Sequence, residues 1–132
     1  VGTLREIVFE CDHPAALARF WAQALSGYEV RPYDAAEIAR LAALGQTPET
    51  DSSVLVDGPG PSFCFQRVEG RRYENNRVHV DVAAADVDAE VARLCECGAT
   101  VQRTAAQYVV LCDPEGNQFC VVADDAYRPG AD

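Results

Sequence analysis

Asp12-His-Pro-Ala-Ala-Leu-Ala-Arg19 and Asp86-Val-Asp-Ala-Glu-Val-Ala-Arg93 are two versions of one pattern, 74 positions apart. Each opens with an acid ahead of an Ala/Leu/Val-rich amphipathic run, so Asp12 and Asp86 are expected to cap helices. Pro14 falls in the first turn, where a missing N–H costs nothing. Gly27 and Gly98 close the two runs, and a valine three residues later (Val30, Val101) opens a strand. A second match follows at an offset of 56, between Val54-Leu-Val-Asp-Gly-Pro-Gly-Pro-Ser-Phe-Cys-Phe65 and Val110-Leu-Cys-Asp-Pro-Glu-Gly-Asn-Gln-Phe-Cys-Val121. Both read as an apolar strand, an Asp/Gly/Pro turn and an apolar strand, which is a hairpin. Two matches in the same order mark a duplicated unit.

Working outward, the expected elements are a strand at 3–11, a helix at 14–25, a strand at 28–33 and strands at 53–57 and 62–68. The second half repeats this with a strand at 77–83, a helix at 87–97 and strands at 100–103, 107–112 and 117–122. The class is α+β, two βαβββ modules in a single domain over 1–132. Module 1 covers 1–69 and carries an inserted helix at 35–44, capped by Asp34. A polar linker at 69–76 leads to module 2 at 77–124. Tyr73 and the Arg71-Arg72 pair fall in that linker and are expected to be solvated.

The 132 residues carry a formal charge of −10, and all 11 basic residues are arginine. Such a surface repels phosphate backbones and anionic lipid, which argues against nucleic-acid and membrane roles. There is no apolar run of about 18 residues and no secretion pattern, so the expected location is the cytoplasm. Without a secretion signal, the six cysteines at 11, 64, 95, 97, 112 and 120 are read as mostly buried small hydrophobes. Cys95 and Cys97, two apart on a helix, point in different directions and make a poor chelate.

Strand alternation singles out Arg77-Val-His-Val-Asp-Val-Ala83. Val78, Val80 and Val82 point one way, into a helix-packed core, and Arg77, His79 and Asp81 point the other. Three polar residues on one face mean open solvent or a polar cavity. In the first strand Arg5 is placed on one face with Ile7, Phe9 and Cys11. By the 74-residue repeat, Arg5 is the counterpart of His79.

Asn76-Arg-Val-His-Val-Asp-Val82 opening the second half, and Asp113-Pro-Glu-Gly-Asn-Gln-Phe-Cys120 near the end, resemble the glyoxalase/bleomycin-resistance/dioxygenase (vicinal-oxygen-chelate) superfamily. Phe20-Trp21 and Phe65-Gln-Arg-Val68 make the resemblance strongest to its bacterial glyoxalase-like branch. It covers essentially the whole chain. The resemblance implies paired curved sheets around a small-molecule cavity, with Arg5 and His79 approaching each other across its floor. It also implies four positions from which metal-dependent relatives draw ligands, here Arg5, Cys64, His79 and Cys120. An arginine cannot ligate a metal and its charge repels one, so no cofactor is expected. The metal-bound alternative is a zinc site made by Cys64, His79 and Cys120.

The candidate catalytic residues are therefore His79, Asp81 and Arg5: imidazole and carboxylate for proton transfer, guanidinium for an oxyanion. Cys64, Gln66, Gln118, Cys120 and Arg77 are the candidate ligand contacts. The structural alternative is an Arg5–Asp81 salt bridge with His79 merely hydrogen-bonded. Phe20 and Trp21 are read as packing residues, His13 as exposed, and Tyr28, Tyr33 and Tyr108 as an aromatic wall. Three functions stay open: a metal-independent enzyme of the isomerase, lyase or cyclase type acting on a small oxygenated substrate; a protein that sequesters an antibiotic or metabolite; and a regulatory domain with a vestigial pocket. The partners expected are a small-molecule ligand and a second copy in a homodimer, since short sheets leave exposed edges.

Overall fold

The two halves meet at strand β1 (Thr3–Cys11). The computed structural model describes residues 1–69 and 77–124. In it β1 pairs parallel with β4 (Ser62–Arg67) on one side and antiparallel with β5 (Val78–Ala84) on the other. Beyond β4 lie β3 (Ser53–Asp57) and β2 (Glu29–Val30). Beyond β5 lie β8 (Gln118–Ala123), β7 (Tyr108–Cys112) and β6 (Thr100–Thr104). Reading outward from the β1/β5 seam, each half gives the same succession: first strand, last strand, third, second. Two copies of one module related by a local two-fold axis produce that mirrored order. The paired curved sheets expected of the α+β class are thus joined edge to edge into one eight-stranded sheet.

Both modules bury their apolar face under a helix on the same side of the sheet. Helix α1 (Pro14–Ala24) lies over β2, β3 and β4, and α3 (Val87–Glu96) lies over β5, β6, β7 and β8. Under α1 the core is Ala15, Ala18, Val54, Val56 and Phe65, with Phe9 and Trp21 packed against it. Under α3 it is Ala84, Val109, Leu111 and Val121, with Val91, Leu94 and Phe119 alongside. Trp21 stacks on Phe9 at 6.3 Å between ring centroids, while Phe20 stays largely exposed. In chain order the inserted helix α2 (Ala35–Ala43) lies between β2 and β3, and Asp34 caps it by accepting from the Glu37 N–H at 2.8 Å. None of the described helices is long and apolar enough to cross a membrane. From residue 70 on, the expected linker, with Arg71, Arg72 and Tyr73, lies outside the described residues.

One expected cap is displaced. Asp86 does cap α3, accepting from the Ala89 N–H at 3.0 Å. On α1 the cap position belongs to His13, which makes no side-chain capping bond, and Asp12 sits one residue too early. The cause is Pro14: its fixed φ and missing N–H suit the first helical position, so the helix starts there. The two helices begin at Pro14 and Val87, an offset of 73. Asp86→Ala is therefore expected to cost about 1 kcal/mol, and Asp12→Ala a few tenths at most. Urea denaturation of the two variants distinguishes them, and equal losses would contradict the cap assignment.

Candidate functional site

The face of the sheet turned away from α1 and α3 carries the polar residues. In β5, Val82 pairs with Val121 of the α3-side core, so His79 and Asp81 point to the opposite face. Cross-strand register then sets Ser62 beside Glu6, Glu6 beside Asp81, and Asp81 beside Cys120. This is one polar row across four adjacent strands. Ser62 Oγ extends it by donating to Asp57 Oδ1 at 2.6 Å. Arg31 completes it with a bidentate bond to Asp57, Nε at 2.6 Å and Nη2 at 2.8 Å. In the neighbouring row Val8 lies between Cys64 and His79.

Arg5 does not take the place the 74-residue repeat assigns it. The β1/β5 register slips between Leu4 and Glu6, leaving Arg5 as the extra residue of a bulge. Its Nη2 donates to the carbonyls of Ala123, at 3.0 Å, and Asp124. Phe9 and Cys11, expected on the site face with Arg5, pack against the α1-side core instead. The residue opposite Asp81 is Glu6, and Asp81 makes its ion pair with His79 rather than Arg5. Glu6 was legible in principle. The rule applied to β5, that valines face the helix, puts Ile7, Phe9 and Cys11 in the core when applied to β1. Glu6, Val8 and Glu10 then fall on the site face. Arg31, Asp57 and Ser62 carried no such signal, because only the pairing of β2, β3 and β4 aligns them.

The floor of this face is short of positive partners. Asp81 is 1% exposed and Glu6 4%, and the His79 side chain is 15% exposed. Glu6 Oε1 and both carboxylate oxygens of Asp81 are buried without a hydrogen-bond donor. Burial, and then the Asp81 charge beside it, push the Glu6 carboxyl up to about 7, against the opposing pull of Arg5 and Arg31. His79 Nε2 lies 3.5 Å from Asp81 Oδ1. Burial works against a charged imidazole there, but the contacts with Asp81 and Cys120 outweigh it and raise His79 to about 10. Burial also drives the Cys64 thiol well above its usual range.

A ligating nitrogen of His79, an oxygen of Asp81 and the sulfur of Cys120 lie within 4.8 Å of one another. That donor set fits a divalent cation, whose bonds to N, O and S run about 2.0–2.3 Å, after small rotamer adjustments. Two carboxylate oxygens of Asp81 without a donor add to the fit. Asp81 stands in for the Cys64 of the expected set, because the β1 strand with Val8 separates Cys64 from His79. The objection that an arginine occupies a ligand position also lapses, since the Arg5 guanidinium is turned to the carbonyls of Ala123 and Asp124.

The remaining candidates surround this centre at different distances. Gln66 shares the face and pairs with Glu10. Gln118 Nε2 donates to Gln102 Oε1 at 2.7 Å. Arg77 is exposed just before β5, and its carbonyl accepts from the Glu10 N–H at 2.8 Å. Ala83, Val122, Tyr108 and Cys120 form an apolar patch flanking the polar row. Of the expected aromatic wall, only Tyr108 lies here. Tyr28 stacks on Phe63 at 5.3 Å, and Tyr33 donates to Asp51 at 2.8 Å. An open groove of about 370 Å³ lined by Gly27, Glu29, Arg31, Pro32, Asp57 and Gly58 sits at the β2 edge, with β3, β4 and β1 between that edge and the strand of Asp81.

Residues 6–122 match the family model described as "Glyoxalase-like domain". No curated protein matches the sequence significantly. Among solved structures, the chain is similar to one titled as an NAD-dependent benzaldehyde dehydrogenase from Legionella pneumophila (TM-score 0.60, 12% identity, covering 89% of this chain and 96% of that one). It is also similar to a glyoxalase/bleomycin resistance protein/dioxygenase superfamily member from Vibrio splendidus (TM-score 0.52, 14% identity, 92% and 100%). A third is the Mn(II)-bound glyoxalase from Novosphingobium aromaticivorans (TM-score 0.55, 18% identity, 100% of this chain and 43% of that one). At these identities the likeness is one of fold.

Proposed function

The chain belongs to the glyoxalase-like domain family, and from that premise we propose that the face carrying Glu6, His79, Asp81 and Cys120 binds a small oxygenated organic molecule and moves a proton on it beside a divalent cation. The observation that supports this reading is the set of three buried carboxylate oxygens without donors, Glu6 Oε1 and Asp81 Oδ1 and Oδ2. Burying carboxylates short of hydrogen-bond donors costs several kcal/mol, and the His79–Asp81 ion pair at 3.5 Å offsets only part of that. A floor built this way is incomplete as a structural core and complete as a receptor for a cation and a ligand hydroxyl or enol. His79, Asp81 and Cys120 are the residues that would hold the cation. Bound there, it would supply Lewis-acid polarisation of a ligand oxygen.

The chain's own groups divide the remaining work. Glu6, directly across from Asp81, is the carboxyl placed to accept a proton from the ligand and return it. Ala83, Val122 and Tyr108 offer an apolar wall that excludes water from one side. Arg5, tied to two backbone carbonyls, supports the end of β8 rather than an oxyanion. A thermal-shift screen of small 2-oxo and 2-hydroxy acids with zinc present selects a ligand, because binding raises the melting point. Deuterium exchange into that ligand then reads proton transfer. Glu6→Gln is expected to keep binding and lose exchange by roughly 100-fold or more. Tight binding with no exchange by the unmodified protein would instead favour a protein that sequesters its ligand.

A further inference from the structure

Resting on that reading of the cation site, we propose that Cys120 enters it as a thiolate ligand, so that the site selects a thiophilic divalent ion of the zinc class over oxygen-preferring magnesium or manganese. Three features carry this. The sulfur of Cys120 lies within 4.8 Å of both the His79 nitrogen and an Asp81 oxygen. Cys120 is also held by backbone pairing on both sides, to Asp81 in β5 and Val110 in β7, so its Cα stays beside the other two donors. The third is Asp81 itself, 1% exposed, its carboxylate making no hydrogen bond among the described residues and facing the His79 imidazole at 3.5 Å.

The chemistry follows from the donor types. One imidazole, one carboxylate and one thiolate make a mixed N/O/S set, which suits a borderline-soft ion in tetrahedral geometry with the fourth position open. Magnesium and manganese gain little from sulfur and want more oxygen donors than the site offers. On binding, the Cys120 thiol proton and the imidazolium proton of His79 both leave to solvent, and the charges of Asp81 and the Cys120 thiolate balance the two charges of the ion. Glu6 stays outside the set, free for the ligand. Cys64 stays outside it too, buried one strand beyond Val8.

Cobalt(II) titration of the whole chain tests this without any turnover, since a cobalt–thiolate bond absorbs by charge transfer in the near ultraviolet. One equivalent of cobalt is expected to bind and show that band. Zinc should displace it, and a large excess of magnesium or manganese should not. Cys120→Ser should abolish the band and weaken zinc binding by more than the roughly 100-fold that loss of an outer-shell partner costs. Cys64→Ser should leave both unchanged, with thermal melts confirming that each variant is folded. A band that survives in Cys120→Ser, or binding that depends on His79 but shows no band, overturns the thiolate ligand and leaves the cation site standing. If no metal binding depends on His79 or Asp81, the cation site falls as well.

Discussion

Glu6→Gln is expected to make the metal-free protein more stable above neutral pH, by roughly 3–4 kcal/mol at most. The folded protein raises the Glu6 carboxyl from 4.5 to about 7, with burial the largest cause and the Asp81 charge next. The folded state therefore holds this proton more tightly than the unfolded chain does. Below pH 4.5 both states are protonated and the group is neutral in its effect. As pH rises from 4.5 to about 7, the unfolded chain ionises first and stability falls. Above that window the whole penalty is present, about 2.5 pH units at about 1.4 kcal/mol each. Glutamine keeps the shape, cannot ionise, and brings an amide donor for the unpaired oxygens of Asp81. Urea unfolding in chelator at pH 4.5 and pH 8 measures the difference. The variant should match the unmodified protein at the lower pH and exceed it at the higher. A variant less stable at pH 8 would mean that the Glu6 carboxylate is compensated in the fold by a partner. The same substitution is expected to remove the proposed proton transfer, so the group that weakens the metal-free fold would be the one that reaction needs.

Phe65→Ala carries the largest expected loss, about 3–5 kcal/mol. Phe65 is wholly buried, stacks on Phe9 at 5.4 Å between centroids, and lies in the cluster that seats α1 on β3 and β4. Removing the ring leaves a cavity between α1 and the sheet, and the pairing of β4 with β1 and β3 keeps the strands from collapsing into it. Against a total stability of about 5–15 kcal/mol, that is a large share. Phe20→Ala makes the contrast, since Phe20 is 57% exposed, and an exposed site usually shifts stability by about 0.5 kcal/mol or less. Chemical denaturation reads both. A Phe65 loss under about 1 kcal/mol would show that the α1-side core is plastic.

Much of this molecule is legible from residue order. Hairpin turns, helix caps and apolar periodicity are local properties, so the duplication, the two βαβββ units and the inserted helix follow from the chain read alone. So does the pairing of His79 with Asp81 on one face of β5, because alternation within a strand needs no partner. The other side of the site was different. Whether Arg5 or Glu6 faces Asp81 is decided by where β1 bulges against β5, and a slip of one residue turns every side chain to the opposite face. A separate single-residue shift divides the 74-residue offset of the matching sequences from the 73-residue offset of the helices. It lies in how Pro14 starts its helix, not in the count of matching letters.

What the sequence determined by itself is the modules and the residue types available to them: acids, a histidine and cysteines on alternating strands. What only the tertiary structure decided is which of those residues meet. Glu6, Asp81 and Cys120 lie far apart in the chain and become neighbours through the β1/β5 seam and the β5/β8 pairing. The physical reason is that local propensity acts over a few residues, whereas a site assembled from three strands is fixed by hydrogen-bond register between segments that meet only when the two halves close on each other.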